Sequence, residues 1–167
     1  MHMKSSKAPL MLSFARFKQW MYRGNRPHRL ARIANRLYAW VGSLGITPNY
    51  METLEVIGRK SGKIVSFPVV ITVIDGERYL VSMLGTQAQW VLNVQAAHGK
   101  AYLRSGRLHE VHLEDVPVAQ RASILLAYIK RAPGARPHML PLTPQSPLAD
   151  FERSAAEYPV FRIVNGG

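Results

Sequence analysis

The sequence predicts an α+β fold: six antiparallel strands forming a small closed or split β-barrel, with flanking helices and an N-terminal helical segment. Three observations carry this. Apolar residues recur at three- and four-residue steps up to about residue 41, and the texture turns to β-rich runs from Thr53. Tight turn signals, Asp75-Gly76 and Ser105-Gly106, join successive β runs, which makes neighbouring strands antiparallel. The chain has 167 residues with no repeat and no linker, which suits a single core.

Each element follows in order. Leu10, Phe14, Phe17 and Met21 fall near one helical face. Gly24-Asn25 ends that helix and Pro27 opens the next, whose apolar side holds Leu30, Ile33, Leu37 and Val41. Arg29, Arg32 and Arg36 share another face, which fits a surface helix packed on the domain or a helix resting on an anionic membrane. The first strand, 53–57, ends at Gly58-Arg59-Lys60-Ser61-Gly62. The second spans 64–74, with Pro68 marking an edge or a bulge. The third is 77–84. Thr86 is placed to cap a helix reaching Ala97. A hairpin follows over 100–104 and 107–113, then a helix opened by Pro117 and running to about Arg131. Residues 132–147 read as a Pro-rich loop, 147–157 as a short helix and 158–164 as the last strand. The expected organisation is a basic helical segment, 1–50, packed on a barrel domain, 51–167.

The net charge of +12 is unevenly placed. Residues 1–51 hold nine Lys/Arg and no acid, whereas the rest holds thirteen against ten. Such a field attracts phosphates, anionic lipid or nucleic acid without choosing among them. No aromatic-plus-basic strand motif supports nucleic acid. The absence of cysteine excludes disulfides, thiolate metal sites and cysteine nucleophiles, and is compatible with the cytoplasm. The longest uncharged stretch, 37–51, is too short to span a bilayer, and no signal peptide is expected.

The strongest local signal for chemistry is the turn 58–62. Its glycines permit close approach of a ligand, Arg59 offers a planar fork, Lys60 a point charge and Ser61 a hydroxyl, and successive N–H groups can form an anion nest. An ordinary exposed hairpin turn explains the same residues. There is no Walker loop, dinucleotide glycine fingerprint or nucleophile elbow. His109 and His112, with Glu110 and Glu114, make a poor zinc set, and the few acids do not suggest a carboxylate pair. This favours a cofactor that brings its own chemistry. Trp90 and Asn93 sit one helical turn apart, where they could wall and brace a planar ring or serve only the core.

Taken together, Ile57-Gly58-Arg59-Lys60-Ser61-Gly62, the strand with Pro68, Asp75-Gly76-Glu77-Arg78-Tyr79-Leu80-Val81-Ser82, Trp90-Val91-Leu92-Asn93-Val94 and Tyr158-Pro159-Val160-Phe161-Arg162-Ile163 resemble the deazaflavin-dependent nitroreductase family. The resemblance covers residues 50–164. It implies a split β-barrel, coenzyme F420 as cofactor, and hydride transfer to a quinone, a nitroaromatic or an activated alkene. It implies that Arg59, Lys60, Ser61 and Gly62 hold the phosphate region, with Lys63 as a further charge and Pro68 as a further cofactor-binding residue. Ser82, Met83, Leu84 and Gly85 then approach the ring, and Trp90 and Asn93 brace that side. No catalytic residue is implied; water or Tyr128 could supply a proton. The sequence departs from the family at Val65 and Met83, where relatives often carry basic residues, at Val70, and in a shorter loop after Ser82. Weaker binding, another pose, or replacement by FMN are the readings this leaves open. The alternative is a flavin-, haem- or lipid-binding barrel that rests on membranes. Homodimer formation is compatible with either.

Overall fold

The computed structural model describes residues 50–166. The helices expected over 10–21 and 27–41, and the division of 1–50 from the barrel, lie outside the described residues.

Strand β1 (Met51–Ile57) buries Leu54 and Val56 and pairs antiparallel with β2 (Ile64–Val70), from Met51 opposite Val70 to Ile57 opposite Ile64. The N–H of Ile71 donates to the Tyr50 carbonyl at 2.8 Å, and that of Gly58 to the Lys63 carbonyl at 2.7 Å. These two bonds set the alternation of the ladder, and Pro68 opposite Thr53 falls at a non-hydrogen-bonded pair. The missing N–H of Pro68 therefore costs no bond to β1 and faces the open edge of the sheet.

Strands β3 (Thr72–Ile74) and β4 (Glu77–Val81) form a hairpin about Asp75 and Gly76, whose φ angles of 51° and 81° suit a primed turn. With β5 (Lys100–Ser105), β6 (Arg107–Asp115) and β7 (Val160–Asn165), the sheet has the order β2-β1-β5-β6-β7-β4-β3, antiparallel throughout. It contains seven strands, not the six expected. The run 64–74 bends at the buried Ile71, so its first part stays with β1 and its second crosses to β4. The two edges of the sheet are thus consecutive in the chain, and the sheet curls into a half-barrel.

Other boundaries also move. The third strand ends at Val81, because Ser82–Gly85 folds into a turn. Helix α1 (Gln89–Ala96) starts after Ala88, which has φ −57° and ψ 134°, and Thr86 does not cap it. A 3₁₀ turn (Val118–Gln120) comes between Pro117 and α2 (Ala122–Arg131). The Pro-rich stretch contains a 3₁₀ helix, Pro133–His138, ahead of α3 (Leu148–Ser154).

The apolar residues form two clusters. One, with Leu54, Val56, Leu80, Leu103 and Phe161, fills the curl beneath Val91 and Val94 of α1. The other packs α2 and α3 through Leu125, Ile129, Met139, Phe151 and Val160. Tyr128 belongs to this second cluster, and burial pushes its phenol well above the usual tyrosine range. Below pH ~10 the phenol is protonated in both folded and unfolded chains; above it only the unfolded chain ionises. The folded state then binds more protons, so stability falls as pH rises past ~10. Thermal midpoints measured from pH 8 to 12 are expected to drop over the alkaline part of that range. Tyr128→Phe is expected to flatten the drop; an unchanged slope would remove Tyr128 as its source.

Candidate functional site

The turn between β1 and β2 is built on its own hydrogen bonds. Besides the Gly58–Lys63 bond, Ser61 N–H donates to the Gly58 carbonyl at 3.2 Å and Gly62 N–H to the same oxygen at 2.8 Å. Lys63 N–H donates to Ser61 Oγ at 3.3 Å, and Arg59 N–H to Asn93 Oδ1 at 3.2 Å. The backbone donors of residues 58, 59, 61, 62 and 63 are therefore occupied, and the expected anion nest is not formed. Gly58 is buried: a Cβ there would lie 2.8 Å from Ser61 Oγ and 3.1 Å from Val65 Cγ2. Gly62 takes a φ of 64°, a region glycine enters without strain.

What the turn presents instead is side-chain charge. Arg59, Lys60, Ser61 and Lys63 are exposed, and among the described residues none of the three cations forms an ion pair. Arg59 is held in place by α1: its Nη1 donates to Asn93 Oδ1 at 2.9 Å and to Gln89 Oε1 at 3.2 Å. Asn93 is only 4% exposed, so one buried amide oxygen takes both the backbone and the side chain of Arg59. Gln89 is the residue sequence reasoning missed. Its spacing of four from Asn93 puts both amides on one helical face, and that was the available signal.

On another side of α1, Trp90 packs against Phe161 of β7 with ring centroids 5.6 Å apart. Phe161 is paired with Leu80 of β4, two residues before Ser82. Ser82 is itself buried: its N–H donates to the Pro159 carbonyl at 2.9 Å and its hydroxyl to the Gly85 carbonyl at 2.8 Å. Gly85 has a φ of 78° and returns its N–H to the Ser82 carbonyl at 3.2 Å. Met83 packs against the α2 cluster and Leu84 is exposed. The structure thus joins Arg59, Gln89 and Asn93 directly. Trp90 connects that group to the β4–β7 pair from which the Ser82–Gly85 loop leaves, and no hydrogen bond among the described residues joins loop and turn.

The remaining candidates behave differently. His109 and His112, three apart on a strand, point to opposite faces, and no metal-ligand cluster occurs among the described residues. Tyr128, with its phenol pushed up by burial, is a poor proton donor near neutral pH. A cleft of ≈ 390 Å³ lies between the β3–β4 hairpin and the start of α2, bordered by Tyr79, Glu114, Pro117 and Ile124, and contains none of the site residues above. Its Arg162 is engaged by Glu114 at 2.6 Å.

Fold and turn define an antiparallel half-barrel with a cationic loop fastened to a helix. The chain belongs to the F420H(2)-dependent quinone reductase family, whose model matches residues 30–134. That membership makes it an F420-dependent reductase with coenzyme F420 as cofactor. No curated protein matches the chain. Among solved structures it is similar to an F420-H2 dependent reductase, at 19% identity and a TM-score of 0.43, covering 68% of this chain and 93% of that one. It is also similar to a protein of unknown function from Agrobacterium tumefaciens, at 12% identity and a TM-score of 0.49, covering 71% of this chain. The match spans about half of that protein, 49% of its length. An FAD-binding protein from Mesorhizobium loti is similar at 14% identity and a TM-score of 0.45, with 77% of this chain and 88% of that one covered.

Proposed function

We propose that the turn 58–63 holds the phosphodiester and carboxylate tail of coenzyme F420 and that Ser82–Gly85 faces its ring, for reduction of a quinone, a nitroaromatic or an activated alkene. The observation that carries this is the pair of exposed lysines, Lys60 and Lys63, which form no ion pair among the described residues, beside an arginine whose orientation is set by Asn93 and Gln89. Their chemistry fits the group: several exposed cations and the Ser61 hydroxyl suit a flexible polyanion. Arg59, fixed by one nitrogen, positions the turn, and Gly62 lets the chain approach closely. Pro68, on β2, is taken as a further cofactor contact. Trp90 and Asn93 brace the helix behind the turn, while Met83 and Leu84 border the ring side with one side chain in the core and one exposed. Reduced F420, when bound, supplies the hydride, and water supplies the proton. The protein's contribution is orientation and exclusion of solvent from the reacting face.

The same proposal takes residues 1–50 as a basic segment distinct from the barrel, since they carry the charge excess. Contact of that segment with anionic membrane, and homodimer formation, are parts of it that liposome sedimentation and light scattering test. Among the described residues no helix is long and apolar enough to cross a membrane.

The deciding experiment is a fluorescence titration with F420, run against FMN because Val65 and Met83 leave fewer cations here than in relatives. Saturable F420 binding that FMN does not displace is expected; absence of it would refute the proposal. Lys60→Ala combined with Lys63→Ala is expected to weaken binding about tenfold at low salt, and less at high salt, because exposed charges are screened. Unchanged affinity in the double variant would place the tail elsewhere.

A further inference from the structure

Resting on the reading of Ser82–Gly85 as the ring-facing loop, we infer that Arg121 is its positioning residue, acting through the strap 155–159. Arg121 lies between the 3₁₀ turn and α2 and is only 6% exposed. A buried guanidinium must find acceptors, and this one has four. Nε donates to the Val116 carbonyl at 2.7 Å and Nη2 to Asp115 Oδ1 at 3.2 Å. Nη1 donates to the carbonyls of Ala155 at 3.2 Å and Tyr158 at 3.4 Å.

The last two carbonyls belong to the strap that joins α3 to β7. The other side of this strap carries the loop: Pro159 accepts the Ser82 N–H at 2.9 Å, and a Cβ on Gly85 would stand 3.4 Å from the Glu157 carbonyl. Val116 N–H donates to the Val160 carbonyl at 2.9 Å, so the chain just after β6 also holds the residue that follows the strap. The Asp115 carboxylate is 62% exposed, so most of Arg121's contacts register backbone and do not pair charge. A planar fork reaches these divergent carbonyls from one position; the single ammonium of lysine does not.

The test uses full-length Arg121→Gln and Arg121→Lys. Hydrogen exchange without cofactor is expected to speed up about tenfold or more at Ser82–Gly85 and 155–158 in Arg121→Gln, by less in Arg121→Lys, and not at Gly58–Lys63. Single-turnover oxidation of reduced F420 by a soluble naphthoquinone is expected to slow about tenfold or more, since small misplacements near a reacting ring cost rate. The F420 dissociation constant should stay within about threefold, because the turn lies outside the coupled segment. Exchange that is unchanged at Ser82–Gly85, or raised equally at the turn, overturns the inference, as does a proportional loss of affinity and rate. If Arg121→Gln does not fold, Asp115→Ala removes one contact and must show the same exchange pattern at smaller size; a uniform increase refutes the coupling. Failure of the parent protein to bind F420 would refute the cofactor reading alone, since the exchange arm needs no cofactor.

Discussion

Replacing Asn93 with alanine is expected to lower F420 affinity about tenfold or more and to destabilise the fold by about 2 kcal/mol, the order of cost for a buried polar partner lost. One oxygen is removed from two donors, the Arg59 N–H at 3.2 Å and Nη1 at 2.9 Å, at a site where the amide is buried. Gln89 then holds Arg59 alone, and this single exposed contact is the turn's remaining side-chain attachment to α1. Denaturant unfolding and fluorescence titration read the two effects separately. Asn93→Asp sharpens the test. It keeps an acceptor for Arg59, so stability is largely kept, but it places a negative charge beside the proposed anion site, so affinity still falls. Equal affinity in Asn93→Ala and the parent would show that the latch has no part in cofactor binding.

The second large effect is structural. Gly99→Ala is expected to cost about 2–4 kcal/mol, a size reserved for steric and backbone conflicts at special positions. Gly99 joins α1 to β5 with a φ of 83°, and an added Cβ would lie 2.7 Å from the Leu113 carbonyl and 2.8 Å from His112 Cε1. Its own N–H donates to Val94 at 2.9 Å and its carbonyl accepts from Leu113 N at 2.8 Å, so the backbone cannot move aside without breaking bonds at both ends. For a chain of this size the thermal midpoint should fall by roughly 5–15 °C. A change under about 2 °C would mean that the β5–β6 hairpin adjusts freely.

Part of the barrel was legible because three of its six strand pairings join neighbours in sequence. Asp75-Gly76 and Ser105-Gly106 announce hairpins by residues that tolerate positive φ, and both hairpins form there. The basic turn was legible as a place of charge. Its anion nest was not correctly read, because whether N–H groups face outward depends on their internal partners, and here Gly58, Lys63, Ser61 and Asn93 take them. The bend at Ile71 was not legible for a similar reason: apolar continuity over 64–74 does not reveal that pairing with β1 ends at the Ile71–Tyr50 bond and that Thr72–Ile74 pairs with β4 instead.

The sequence by itself determined the charge asymmetry, the strand and turn signals, the turn residues from Arg59 to Lys63, and the resemblance that the family match bears out at the level of an F420-dependent reductase. Only the tertiary structure decided that Asn93 and Gln89 grip Arg59, and that a buried Arg121 ties the ends of three elements together. The Arg59 contacts and the Arg121–Ala155 contact link residues 30 to 34 positions apart. Periodicity and turn chemistry register only near neighbours, whereas the demand that each buried donor and acceptor be satisfied is met wherever the folded chain brings a partner.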